Sequence, residues 1–173
     1  LPWEGDAFAT LEQEIAAVWP RERILAPADV RGDAATLRDA VAGRGWPPVD
    51  AHRGKAAFLL DNEGSVRDRY LAATTKERLL FVSVARDHPE AAWMKRNDPV
   101  ATQAEIRRLV QDGFIVRTRA DANGREARTN DTRRRELAIA SGAQLISTDY
   151  PEPDPRLSRY HVALPDPPEP RRD

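Results

Sequence analysis

The stretch from Phe114 to Ala122, FIVRTRADA, begins as a buried strand and then places Arg117 and Arg119 two residues apart, with Asp121 just beyond. Side chains alternate along a strand, so the two arginines share one face. Two guanidiniums side by side make a fixed fork for phosphate or carboxylate oxygens. In Ser147-Thr148-Asp149-Tyr150, Ser147 and Asp149 share a face of another strand. Asp149 suits orienting an arginine, binding a metal or handling a proton. Asp61 ends the apolar run AAFLLD, and the segment HPEAAWMKRNDP adds Lys95 and Asn97, both with the reach to meet a phosphate. His88 opens that same segment and is the histidine placed to act as an acid or base.

Plainer roles compete at each position. Arg117 and Arg119 equally suit a structural salt-bridge network with Asp61, Asp121 and Asp149. Asp121-Ala122-Asn123-Gly124 also reads as a turn, and Asp61-Asn62 as a turn or helix cap. Trp93 and Met94 suit loop packing. Arg133-Arg134-Arg135 reads as the solvated face of a helix start. His52 precedes the first strand, which gives it a structural place on the opposite edge, and His161 alternates into an expected terminal strand, YHVALP. The histidines lack metal spacing, and no HExxH, P-loop, GxSxG or GxGxxG pattern occurs.

The elements that must carry these groups follow from periodicity. Asp6 is expected to cap a helix over residues 7–19, with Phe8, Leu11, Ile15, Val18 and Trp19 on one face and Pro20 ending it. A second helix follows Asp33, with Leu37 and Val41 inward and Gly43 and Gly45 at its end. WPPVDAHRGK reads as connector. Four apolar runs too short for helices then appear: AAFLLD (56–61), LLFVSV (79–84), FIVRTR (114–119) and AQLISTD (143–149). Helical patterns at 103–111 and 131–141 lie between them, closed by Gly113 and Gly142. Strands alternating with helices at this spacing predict an α/β fold with a parallel sheet. In all four runs the polar residues collect at the C-terminal end, the ligand-binding edge of parallel α/β architecture.

Composition narrows the function classes. The 173 residues suffice for one domain with a substantial core. A formal net charge of −1 provides no bulk field for nucleic acid or anionic membrane, so an anion site must be local. Without cysteine there is no disulfide, thiolate metal site or cysteine nucleophile. No run of eighteen apolar residues exists to span a membrane. The first residues, LPWEGDAF, carry no signal-peptide pattern and read like the middle of a protein, and the last eight, DPPEPRRD, read as a disordered tail.

Taken in order, GKAAFLLDN, AAWMKRNDP, GFIVRTRADA, EARTNDTRRRELAIASGAQLISTDYP and YHVALP resemble the C-terminal portion of bacterial calcium-dependent phosphoinositide phospholipase C-like proteins. That family sits in the wider barrel superfamily that also holds glycerophosphodiester phosphodiesterases, and ISTDYP is similar to the last barrel strand of both groups. The resemblance runs from the first helix to about Pro165. It implies the C-terminal half of a (β/α)8 TIM-type barrel, strands five to eight, over residues 1–165, with 166–173 as tail. It implies phosphodiester cleavage of a phosphoinositide or glycerophosphodiester head group, with possible peripheral membrane contact and no nucleic-acid partner. Arg117 and Arg119 would be the phosphate contacts, with Lys95 and Asn97 beside them. Asp149 and Tyr150 would line the head-group pocket, Asp61 would meet a sugar hydroxyl or the metal region, and Asp149 and His88 are the catalytic candidates. The family's histidines and most calcium ligands belong to a first half-barrel whose motifs this chain does not show. A missing N-terminal half or self-association is therefore expected, with this chain inactive alone. A non-catalytic anion-binding or assembly half-barrel is the competing expectation. Secretion to the periplasm or beyond is implied by the resemblance alone.

Overall fold

The computed structural model describes residues 6–73 and 78–164, so the expected tail at 166–173 lies outside the described residues. The protein is a mixed α/β structure whose parallel strands form two small sheets, as the alternation of apolar runs and helices predicts. Two compact units divide it: Leu1–Lys95 with Leu109–Ile115, and Arg96–Arg108 with Val116–Asp173.

In the first unit, helix α1 (Ala7–Val18) buries only Phe8, whose ring meets Tyr70 edge-on at 5.3 Å. The inward face expected to run to its end stops short: Val18 is 74% exposed and Trp19 40%. Asp6 does not cap through its side chain; its carbonyl accepts the Thr10 N–H at 2.8 Å instead. Helix α2 (Pro27–Arg31) was not anticipated. Its start is a Pro at the first position with the Asp29 carboxylate accepting the Ala26 N–H at 2.8 Å. Helix α3 (Leu37–Gly43) begins later than Asp33 would place it, because Thr36 is the cap: its hydroxyl accepts the Asp39 N–H at 3.0 Å. Leu37, Ala40 and Val41 point inward as expected.

Strand β1 (Phe58–Leu60), helix α4 (Ser65–Ala73) and strand β2 (Leu80–Val82) form a βαβ crossover. Phe58 pairs with Leu80 and Leu60 with Val82, in parallel. Buried Tyr70 on α4 ties the unit together: its hydroxyl donates to Glu12 Oε1 at 2.6 Å and accepts the Leu80 N–H at 3.1 Å. Strand β3 (Trp93–Lys95) corrects the reading of HPEAAWMKRNDP as one long loop. Met94 is fully buried, and Trp93 packs on Phe81 at 5.8 Å. Three residues are too short for alternation to stand out from the surrounding sequence.

Helix α5 (Pro99–Gln111) and strand β4 (Ile115–Arg119) follow, and the chain passes between the units within each of them. The leading turn of α5 joins the expected 103–111 segment at Thr102, whose backbone is not helical (φ −119°, ψ 16°). Gly113, at φ +87°, makes the turn into β4 in a conformation that side chains disfavour. Strand β5 (Leu145–Ser147) pairs in parallel with β4, with Arg117 opposite Leu145 and Arg119 opposite Ser147. Helices α6 (Arg125–Thr129) and α7 (Arg133–Ala140) lie between them in sequence. YHVALP is not a strand over its described residues; its Val162 N–H reaches the Tyr150 carbonyl at 2.9 Å, one bond without a ladder.

Candidate functional site

In the second unit, β4 alternates as its sequence requires. Val116, Thr118 and Ala120 are buried, while Ile115, Arg117 and Arg119 are half-buried on the other face. Arg117 Nη1 donates to the side-chain carbonyl of Asn97 at 2.8 Å, a contact that orients the guanidinium without adding a countercharge. Arg119 Nη2 stands 3.9 Å from Asp149 Oδ2, with the two side chains 32% and 66% exposed. An ion pair that long and that wet is weak, so an anion with better geometry can displace it. The salt-bridge alternative is therefore met only by this loose pair.

Asp121 does different work from the turn or salt-bridge role read in the sequence. It has no exposed surface. One carboxylate oxygen accepts the Thr148 hydroxyl and the other the Asp149 N–H, the latter at 3.1 Å. Thr148 Oγ1 in turn accepts the Tyr150 N–H at 2.9 Å. The carboxylate thus fixes the backbone corner that presents Asp149 and Tyr150 at the end of β5. Beneath that corner the Tyr160 hydroxyl donates to the Ala120 carbonyl at 2.8 Å. Burial pushes the Tyr160 phenol well above its usual range, and the charges of Asp121 and Glu126 push it further, so it stays a donor.

In the first unit, Lys95 lies by Asp61 as the sequence suggests, but its ammonium is engaged. Nζ donates to the Asp61 carbonyl and sits 3.2 Å from Asp61 Oδ1 and 3.5 Å from Glu63 Oε1. The lysine side chain is 11% exposed. Its backbone N–H donates to the buried Ser83 hydroxyl at 2.9 Å. Two carboxylates around one ammonium form a structural clasp more readily than a phosphate contact. His88 Nδ1 accepts the Glu90 N–H at 3.0 Å. The neutral ring therefore carries its proton on Nε2, the nitrogen left to exchange one.

Two contributors to the second unit went unread in the sequence. Arg134 Nη2 donates to the Asn97 carbonyl at 2.6 Å and Nη1 stands 3.4 Å from Asp98 Oδ1. Arg135 Nη1 donates to the His161 carbonyl at 2.8 Å and its guanidinium lies 5.7 Å from the Tyr160 ring centre. The run Arg133-Arg134-Arg135 is thus not simply a solvated face. The signal was present: three successive helical residues sweep about 200° of the circumference, so they cannot all share one face.

Calcium can be tested against the same side chains. Among the described residues, no three His, Cys, Asp or Glu side chains come together to hold a metal. Asp61 and Glu63 face Lys95, and Asp121 is spent on Thr148 and Asp149. The described residues do not form a calcium centre. No curated protein and no solved structure matches the chain. A family model described as phosphoinositide phospholipase C, Ca2+-dependent, matches residues 1–172. The chain belongs to the calcium-dependent phosphoinositide phospholipase C family.

Proposed function

We propose that this chain supplies the phosphate and head-group side of a phospholipase C-type phosphodiester-cleaving site, on elements equivalent to strands five to eight of a (β/α)8 barrel. The supporting observation is the pair of guanidiniums on one face of β4, Arg117 oriented by Asn97 and Arg119 held loosely by Asp149. Charge grows on the phosphoryl oxygens as an attacking hydroxyl adds and the leaving oxygen departs. Preorganised guanidiniums stabilise that charge more than the ground state. Asp149, exposed and free to move from Arg119, is placed to accept the attacking hydroxyl's proton. Tyr150, on the same corner, lines the head-group side. The substrate class is a phosphoinositide or glycerophosphodiester met at a lipid surface, and the chain is completed by an N-terminal half-barrel or a second copy.

A second reading, a non-catalytic anion-binding half-barrel, is favoured by one observation: the described residues contain neither a metal-binding group nor a histidine paired with a carboxylate. One assay separates the two. Hydrolysis of a chromogenic inositol phosphodiester is measured with this chain alone and with a supplied family N-terminal half, with calcium and with chelator. Activity only on complementation, lost in Arg117→Ala, is the expected result. Calcium-dependent activity of the chain alone would overturn the division of labour and make Asp149, His88 and Asp61 the leading catalytic candidates. Inactivity in both settings, with both halves folded, would support the binding reading.

A further inference from the structure

Beyond the strand ends, the second unit has a cavity of about 260 Å³ whose lining includes Arg125, Arg133 and Arg134 together with Asp98, Glu126 and Asp131. That is smaller than the ~300–1,000 Å³ of pockets for drug-sized molecules, and suits a small anion. By count the charges balance, but the carboxylates are committed elsewhere. Asp98 accepts the Val100 N–H at 3.2 Å and meets Arg134. Asp131 accepts the Arg133 N–H at 3.0 Å, and buried Glu126 accepts the Ala122 N–H at 2.9 Å. Among the described residues, the guanidiniums of Arg125 and Arg133 have no carboxylate or carbonyl partner, and both residues are exposed. Arg134 is anchored through its terminal nitrogens, but its Nε is buried with no hydrogen-bond partner. A buried N–H left unpaired costs roughly 1–3 kcal/mol, so the pocket offers a donor that only an incoming acceptor would satisfy.

We propose that this cavity is a second anion site, separate from the Arg117–Arg119 fork, and that its ligand is a phosphate monoester. A monoester carries about −1.5 to −2 charge and three acceptor oxygens, which matches two uncommitted guanidiniums and the orphan Nε. Asn97 joins the two sites: its side chain receives Arg117 and its carbonyl receives Arg134. The assignment rests on the cavity alone and holds whether or not the fork binds a phosphodiester.

The test is a calorimetric titration of the full chain with inorganic phosphate at low salt. It compares the native protein with R125A/R133A and R117A/R119A, each shown to melt cooperatively. R125A/R133A should weaken binding at least about tenfold, since each charged hydrogen bond contributes roughly 1.5–3 kcal/mol. R117A/R119A should change binding to this site by less than about threefold, as expected of an independent site. A flotation arm uses phosphatidylcholine vesicles with and without phosphatidic acid. Capture by phosphatidic acid that R125A/R133A abolishes would assign the monoester to a lipid, and binding of free phosphate alone would assign it to a soluble ligand. Equal phosphate affinity in R125A/R133A and the native chain would overturn the proposal, as would failure of the native chain to bind either probe.

Discussion

At Asp121 a carboxylate with no exposed surface is held by a hydroxyl and a backbone N–H, and both donors belong to the corner that carries Asp149 and Tyr150. Removing that carboxylate leaves two buried donors unanswered. Asp121→Ala should therefore cost about 3 kcal/mol, lowering the melting midpoint by about 6–12 °C in a chain of this size. Asp121→Asn keeps one acceptor oxygen and should lose about half as much by calorimetry. At Asp29 the balance is electrostatic. Burial opposes its charge, but the hydrogen bonds from Arg21 (2.8 and 3.0 Å) and from the Ala26 N–H outweigh it and hold the carboxyl below its ordinary value. A carboxyl lowered by folding stabilises the native state above its unfolded value of about 3.9 and loses that contribution as pH falls through the folded value. The stability gap between the native protein and Asp29→Asn should therefore be constant above about pH 5 and close as the pH drops below about 4. Urea denaturation across that range checks it.

At the scale of elements, the turn between β4 and α6 depends on Gly124. Its φ is +66°, and a Cβ there would stand 2.8 Å from the Tyr150 hydroxyl. Gly124→Ala combines a strained backbone with a displaced tyrosine. It should cost about 1–2 kcal/mol and shift the head-group side of the proposed site, seen as a raised KM in the complemented assay with little change in kcat. The sequence made β1, β2, β4 and β5 legible because each is an apolar run cut off by polar residues, and made the arginine fork legible because strand alternation has no exceptions along five residues. It hid β3, α2 and α6, each three to five residues long and with no full period to display. It also hid the partners. Lys95 reads as a phosphate contact until Glu63 is seen beside Asp61, and Asp121 reads as a turn residue until Thr148 arrives from 27 positions away.

For the whole molecule, 27 basic and 28 acidic side chains leave a formal charge of −1, so no long-range field draws an anion in. Any phosphate the chain holds is held by a few arginines at short range. That separates it from family behaviour in one measurable respect. Among the described residues no group of acids is built to hold calcium, whereas the guanidiniums of β4 and α7 need no metal to meet an anion. Binding of inorganic phosphate or inositol phosphate to this chain should therefore be the same in calcium and in chelator. It should fall with added salt, because the Debye length shrinks from about 10 Å at 0.1 M to about 3 Å at 1 M and exposed guanidiniums lose most of their reach. Hydrolysis in the complemented assay should still require calcium if the N-terminal half carries the metal. Binding that strengthens with calcium in this chain alone would mean that its own acids rearrange around the ion. The clasp of Asp61 and Glu63 on Lys95 would then be the first place to look, with Lys95→Met as the variant that should release those carboxylates and raise calcium affinity.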